Sequence, residues 1–200
     1  SVAALQEDRD AHLAAVRDLV TNTSVLVFTL GLTETWTSID DGTVLPIVPG
    51  ASGGTFDHDR YRFRNFSISE TIQDIEDLMA SLVVRNPTIR ILLTVSPVPL
   101  IATYSSNHVL AATTYSKSVL RVAAEVATES HANTHYFPSF EIITGLHAGN
   151  HYYEPDLRSV SPRGVNHVMR LFNAHHVAGS DGGSNADHYA RVADEIRGSR

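Results

Sequence analysis

The 200-residue chain has 42% apolar and 18% charged residues, a composition typical of one globular domain with a sizeable core. Its net charge is −7 and no run of Lys or Arg occurs, so we expect neither a nucleic acid nor an anionic membrane as partner. The absence of cysteine excludes disulfides and thiol chemistry. Since no signal-like N-terminus and no long apolar stretch is visible, the expected location is the cytoplasm.

The first elements predict a helix followed by a buried strand. Residues 3–20 carry an amphipathic helical pattern, and apolar residues fill most of positions 25–30. A continuous apolar run is typical of a strand covered on both faces of a parallel sheet, and we expect it to be the central strand. A helix that feeds such a strand resembles the second half of a βα unit. We therefore expect an earlier strand and interpret the chain as the later portion of a domain.

The end of this strand is the first candidate site. Gly31 breaks the apolar run and is followed by Thr33 and Glu34. Because ligands in open α/β sheets lie beyond the carboxyl ends of the strands, a binding site here is one interpretation. A simple turn with a solvated Glu34 is the other, and both remain open. Trp36 could stack on a sugar ring, although a core position is the more common role of tryptophan.

The segment from 37 to 66 lacks clear periodicity and predicts a long binding loop or lid. A short strand is expected within 44–48. The alternation of Arg60, Tyr61, Arg62 and Arg64 could contact an anion, but it favours an ordinary edge strand.

A second helix and a second buried strand follow. Ser67 and Glu70 have the spacing of a capping box, and Asn86 with Pro87 ends the helix. Residues 89–95 predict a strand parallel to the first, since a helix connects the two. Ser96 then follows the strand and is expected at the same sheet edge as Gly31.

The rest of the chain predicts two more helices and a strand. We expect a helix over 113–128, with Lys117 near its start, and a strand over 135–140. Ser161 and Pro162 predict the beginning of the last helix. Residues from 179 on read as a flexible tail, with a weak helix over 186–196. The predicted buried faces of the two helices consist of Val119, Val122, Ala123 and Val126, and of Val165, Val168, Met169 and Phe172.

Three groups of segments resemble the GSCFA family, a branch of the SGNH-hydrolase-like (GDSL) superfamily of esterases and acyltransferases. They are FTLGLTETW (28–36), LLTVSPVPL (92–100) with TTYSKSVLR (113–121), and YFPSFEIIT (136–144) with DLRSVSPRGV (156–165). The resemblance covers roughly residues 7–172. It implies an α/β fold, a flavodoxin-like three-layer sandwich with a mostly parallel sheet flanked by helices, incomplete at its N-terminus. The expected domain spans residues 1–178, with 179–200 as a tail.

The resemblance also implies site roles. Gly31 and Thr33 occupy the Gly-x-Asn-Asp block that forms part of the oxyanion hole, with Thr33 in place of the Asn. Asp156 matches the acidic residue of the Asp-x-x-His block, whereas Ser159 occupies the His position and cannot act as a base near neutral pH. The Gly-Ser-Cys-Phe-Ala motif, which carries the nucleophile, is absent. We therefore expect the 200-residue chain alone to be inactive, and to dimerise or aggregate through an uncovered strand.

Three functions remain open at this point. The first is an O-acyl ester hydrolase or acyltransferase, including action on acetyl groups of carbohydrate. The second is a catalytically dead carbohydrate- or ligand-binding module of the same fold. The third is an unrelated α/β protein that holds a small ligand. The expected partner is a small-molecule or carbohydrate ester, without a cofactor, and the oligomeric state is left open.

Two histidines are candidates for the general base, a role that Ser159 cannot fill. His108, in the loop after the second strand, comes first, and His151 comes second. His167 is expected to be a packed, hydrogen-bonded residue of the last helix. Lys117 could bind a substrate anion, with a solvated surface lysine as the alternative, and Glu34 and Ser96 are further candidate substrate contacts. The remaining histidines of interest, His147, His175 and His176, lack the spacing of a metal site.

Overall fold

The computed structural model describes residues 1–177. Within them lie five α-helices, one 3₁₀ turn and six strands. The elements are α1 (Val2–Asn22), β1 (Val25–Leu30), β2 (Glu34–Ser38), β3 (Val44–Leu45), β4 (Tyr61–Asn65), α2 (Ile68–Arg85), β5 (Arg90–Val95), α3 (Val109–Ser130), β6 (Thr134–Tyr136), α4 (Ser139–Thr144), the 3₁₀ turn Leu146–Ala148 and α5 (Pro162–His176). The predicted tail from 179 on, with its helix over 186–196, lies outside the described residues.

The chain forms two compact units. The first contains Ser1–Leu93 and Tyr115–Tyr136, and the second contains Thr94–Thr114 and the described residues from Phe137 on. A parallel sheet has the strand order β1-β5-β6, and a small antiparallel sheet has the order β3-β2-β4. The predicted fold class is confirmed: an α/β protein whose parallel sheet is flanked by helices, compatible with a three-layer sandwich.

The centre of the parallel sheet is β5. Its sequence, RILLTV, is rich in the aliphatic and β-branched residues that fit a strand covered on both faces, and every residue after Arg90 is buried. Leu92 pairs in register with His135 of β6. The prediction of a buried strand over 89–95 is therefore confirmed.

The prediction that the first strand is central and buried is wrong. Val25, Val27 and Phe28 are 43%, 47% and 37% exposed, and only Leu30 is buried. Within residues 1–177, β1 has β5 as its one neighbour in the sheet, so its outer edge and much of its apolar surface are open. Helix α1 confirms the predicted helix over 3–20, but it has no buried residue.

Helix α2 follows the sequence signals closely. The Ser67 hydroxyl accepts a hydrogen bond from the Glu70 amide, and the Glu70 carboxylate accepts one from the Ser67 amide, which completes the capping box. The bonds that the Ser67 amide and hydroxyl donate to the Glu70 carboxylate, together with the bond from the Arg64 guanidinium, lower the pKa of Glu70 to about 2. The helix ends at Arg85, where Asn86 caps it.

The antiparallel sheet was only partly predicted. Strand β4 confirms the edge strand over the arginine-rich segment, and β3 confirms a strand at Val44. Strand β2, in contrast, was not predicted, because its five residues are too few and too polar to show a period. Trp36, at its centre, is 7% exposed and packs edge-on against Phe56 and Phe63, so the core interpretation is confirmed.

Three predictions for the later elements need correction. Helix α3 begins at Val109, four residues before the expected start, and Val122 is 45% exposed instead of buried. Strand β6 ends at Tyr136, and the residues after Pro138 form helix α4 instead of more strand. In α5, Val165 and Met169 are about half exposed, and the buried side chains belong to His167 and Leu171.

The beginning of α5 agrees with the sequence. Ser161 is the N-cap and Pro162 occupies the first turn. His167 stacks on Tyr152 at 5.3 Å between ring centroids and lies 3.1 Å from an Arg170 guanidinium nitrogen, so the packed, hydrogen-bonded role is confirmed. A core of Ile143, Ala148 and Tyr152 underlies this region.

None of the helices in residues 1–177 combines the length and the apolar character that crossing a membrane requires.

Candidate functional site

The candidate site in the first unit is residues 31–33, which join β1 to β2 and are called the glycine loop below. Gly31 and Leu32 are exposed, whereas Thr33 is 1% exposed. A Cβ built on Gly31 would have nothing within 4 Å, and its φ lies outside the left-handed region. Neither backbone conformation nor packing within the described structure therefore requires glycine here. The space beside it is open to a ligand.

Thr33 anchors the loop through its amide, its hydroxyl and its carbonyl. Its amide donates to Ser116 Oγ of α3 at 2.9 Å, and its hydroxyl donates to Asn65 Oδ1 of β4 at 2.6 Å. Its carbonyl accepts from the Phe66 amide at 3.0 Å. The role of the Thr33 hydroxyl as an oxyanion donor stays a prediction, and it would require exchange of the contact with Asn65.

Lys117 holds the other end of the glycine loop. Its ammonium donates to the Gly31 carbonyl at 2.8 Å, while the residue as a whole is only 3% exposed. The alternative of a solvated surface lysine is therefore wrong. The prediction that Lys117 lies near the start of its helix is also wrong, because α3 begins eight residues earlier, at Val109. Burial lowers the pKa of Lys117 from 10.5 to about 8. Among residues 1–177, no carboxylate forms an ion pair with it.

The contact with Lys117 fixes the direction of the next amide. The Gly31 carbonyl and the Leu32 N–H belong to one trans peptide, so they point in opposite directions. With the carbonyl held toward Lys117, the Leu32 N–H points away from it. No hydrogen-bond acceptor for this N–H occurs in the part of the chain that the structure describes. The loop therefore presents one backbone donor that has no partner among residues 1–177.

In the second unit, Asp156 and Ser159 lie together as the Asp-x-x-His block implies. The Ser159 hydroxyl donates to Asp156 Oδ2 at 2.6 Å, and the amides of Arg158 and Ser159 donate to Oδ1 at 2.9 and 2.8 Å. These bonds, the Ser159 hydroxyl first, lower the pKa of Asp156 below its usual value. Leu157 between them has a left-handed φ of 53°. Ser159 thus makes the contact that a histidine N–H would make, but it supplies no base.

The two candidate bases have other surroundings. His108 is exposed and stands just before α3, where its Nδ1 accepts a hydrogen bond from the Leu110 amide at 3.2 Å. A neutral ring in this contact carries its proton on Nε2. Across residues 1–177, no hydrogen bond joins His108 or His151 to Asp156. The assignment of either histidine as the base stays a prediction.

The remaining predicted contacts are placed as follows. Ser96 comes directly after β5, and its hydroxyl accepts from the Val98 amide at 3.2 Å. Glu34 begins β2 and stands opposite Asn65 in the antiparallel pair. The structure therefore brings Gly31, Thr33 and Lys117 together in one unit, and Asp156 and Ser159 in the other.

A metal site finds no support in the described residues. No group of three or more His, Cys, Asp or Glu side chains with suitable geometry occurs within 1–177.

One residue that contacts the glycine loop was missed by the sequence analysis. Asn65, which contacts Thr33, comes from a strand that is 32 positions away in the sequence, so no local motif pointed to it. Lys117, in contrast, carried a visible signal because it is the only lysine in the chain. Lysine is almost never fully buried without a partner, so its burial here also marks the position as unusual.

The comparisons with known proteins identify the family of the chain. No curated protein sequence and no solved structure matches the chain. The model of the GSCFA family matches residues 1–172, which is most of the chain and includes the glycine loop, Lys117 and the Asp156–Ser159 turn. The chain belongs to the GSCFA family.

Proposed function

We propose that this protein is an O-acyl ester hydrolase or acyltransferase of the GSCFA type, acting on acetyl esters such as those on carbohydrate, and that residues 31–33 bind the reacting acyl oxygen. Membership of the GSCFA family supports this proposal. The observation that carries it is the glycine loop, in which Gly31 has open space beside it and the Leu32 N–H has no partner among the described residues. The buried side chains of Ser116 and Lys117 hydrogen-bond to the backbone of this loop.

The chemistry explains why such a loop suits acyl transfer. When a nucleophile attacks an ester, negative charge develops on the carbonyl oxygen, and donors that are already in place stabilise it without reorganisation. The bond from Lys117 to the Gly31 carbonyl holds the peptide that contains the Leu32 N–H, and the bond from the Thr33 amide to Ser116 holds the next peptide. The buried ammonium of Lys117 also places a positive charge next to the loop. Glu34 and Ser96 remain proposed substrate contacts.

The proposal needs a base, and Ser159 does not provide one. We propose His108 for this role, with His151 as the second candidate, since histidine is the side chain whose ordinary pKa lies near neutrality. Asp156 keeps its proposed role as the orienting carboxylate, since its Oδ2 can accept a second hydrogen bond beside that from Ser159. The nucleophile is proposed to be the serine of the family motif, which this sequence does not contain.

Hydrolysis of an aryl acetate by the full-length protein tests the proposal. The His108→Ala variant should lose about 10²–10⁴-fold in rate, the usual contribution of a general base, while Ser159→Ala should lose little. His12→Ala, a change of an exposed histidine on α1, is the matched control and should leave the rate unchanged. If His151→Ala is inactive and His108→Ala is not, the base assignment changes. Full activity of every single variant, or of a variant without the nucleophilic serine, would refute the triad mechanism.

A second candidate function is favoured by the Asp156–Ser159 contact. Because a serine hydroxyl makes the contact to Asp156 Oδ2, at 2.6 Å, that a catalytic histidine would make, the chain can also be interpreted as a module that binds acylated carbohydrate without hydrolysing it. Calorimetry with an acetylated oligosaccharide distinguishes the two functions. Saturable binding without release of acetate would support the binding module, whereas acetate release supports the enzyme.

A further inference from the structure

The amide group of Asn65 is a second free donor beside the glycine loop. Its Oδ1 accepts the Thr33 hydroxyl at 2.6 Å, so the acceptor half of the amide is occupied and its orientation is fixed. The two N–H bonds on Nδ2 have no acceptor anywhere in the described chain. The side chain is partly exposed, and its Nδ2 is not among the buried atoms that lack a partner, so these N–H bonds reach accessible space.

A short hydrogen bond from a buried threonine makes Asn65 a rigid donor. Thr33 is 1% exposed, and its own amide and carbonyl are bonded to Ser116 and Phe66. Its hydroxyl therefore stays in place and restrains the Asn65 side chain through this bond, which leaves Nδ2 as the free group of the amide. A side-chain amide that is fixed in this way resembles the preorganised donors that stabilise charge in a transition state.

We infer that Asn65 is a substrate-binding residue whose Nδ2 donates to the oxygen of the reacting acyl group, with Thr33 as its positioning residue. This inference rests on the proposed acyl-transfer function. In this arrangement the Thr33 hydroxyl does not itself contact the acyl oxygen. Thr33 orients the donor, and Asn65 makes the contact.

The negative charge of Glu34 affects which ligands can bind to the Asn65 amide. It stands directly opposite Asn65, and side chains of such pairs lie on the same face of a sheet. A carboxylate there disfavours negative charge on the ligand, whether permanent or developing in the transition state, so a neutral ester carbonyl is the ligand that it admits in the ground state.

Kinetics of the full-length protein with an aryl acetate test the contact. Asn65→Asp keeps an acceptor for the Thr33 hydroxyl but removes both N–H donors, and we expect kcat to fall about 10²–10³-fold with little change in KM. Thr33→Val, which frees the amide to rotate, should produce a smaller fall. Val44→Thr, an exposed change on the same sheet, is the control and should have no effect. Unchanged kcat in both Asn65→Asp and Asn65→Ala would overturn the inference.

A binding measurement separates this inference from the proposed function. The side-chain NH₂ signals of Asn65 are followed by NMR during addition of methylphosphonate, a tetrahedral oxyanion, to the wild type and to Glu34→Gln, with sodium chloride as the ionic-strength control. We expect a saturable shift, larger in Glu34→Gln because the like charge has been removed. A shift without any ester hydrolysis would support the donor role and refute the enzyme. No shift in either protein would overturn the donor role, whether or not the Asn65 variants fold.

Discussion

The burial of Lys117 predicts an unusual dependence of stability on pH. In the unfolded chain this lysine has an ordinary pKa near 10.5, whereas burial in the folded protein lowers the pKa to about 8. Between these values the unfolded state binds the extra proton, so the free energy of unfolding should rise as the pH increases from about 8 to 10.5. At 1.36 kcal/mol for each factor of ten in the proton equilibrium, the upper limit of this gain is about 3 kcal/mol. Partial solvation of the ammonium reduces it, and we expect on the order of 1–3 kcal/mol.

Replacing Lys117 with Met removes this gain. The variant fills the same space without a titratable group, but it leaves the Gly31 carbonyl without its donor, which costs about 1–3 kcal/mol at all pH values. Urea unfolding at pH 7, 8, 9 and 10 should therefore show a wild type that gains stability relative to Lys117→Met as the pH rises. Both proteins contain the same tyrosines and the same N-terminus, so the effect of these groups cancels in the difference between the two free energies of unfolding.

The control for this experiment is Ser116→Ala. It removes the neighbouring contact to the Thr33 amide without touching a titratable group, so it should lower stability by the same amount at each pH. Because Lys117 is the only lysine, its side-chain NMR signal also reports its pKa without ambiguity. A constant difference between wild type and Lys117→Met across pH 7–10, or a lysine signal that titrates near 10.5, would refute the argument from burial.

Three further predictions concern other parts of the chain. Ser67→Ala removes the capping-box acceptor and should lower the free energy of unfolding by about 1 kcal/mol in urea denaturation, and an unchanged midpoint would contradict the importance of the cap. Ser159→His restores a base next to Asp156 and should raise aryl acetate hydrolysis by the full-length protein if the Asp156 turn lies in the active site. A folded variant without any gain would count against that placement. Val27→Lys places a charge on the exposed strand β1 and should reduce self-association in light scattering, whereas equal association of both proteins would show that the strand edge is not responsible.

The sequence predicted the elements whose signals are local. The capping box at Ser67, the N-cap at Ser161 and the apolar run of β5 depend on residues within one turn or one strand, and all three agree with the structure. The burial of β1 could not be predicted in the same way. Its apolar run has the same appearance as that of β5, but burial depends on how many strands flank it. Strand β2 was missed because its pairing with β4 comes from a segment more than 20 residues away.

The candidate site shows the same limit. Gly31, Thr33 and Lys117 were chosen from the sequence, and the structure places them in one network. The role of each contact was not visible, because it depends on α3 and β4 meeting the glycine loop. The longer α3, which begins at Val109, explains why Lys117 is buried in the helix instead of exposed at its start. Asn65 had no motif at all and became a candidate only through the Thr33 hydroxyl.

Gly31→Ala tests the central claim that the open side of the glycine loop receives the acyl oxygen. The added methyl group meets no atom within 4 Å, and the backbone conformation does not require glycine, so the variant should fold with stability unchanged or raised by about 0.4–1 kcal/mol. The same methyl group would occupy the space of the bound oxygen. For the full-length protein we predict normal thermal unfolding together with a loss of aryl acetate hydrolysis of about 10²-fold or more. A Gly31→Ala protein that unfolds normally and hydrolyses the ester at the wild-type rate would contradict the account.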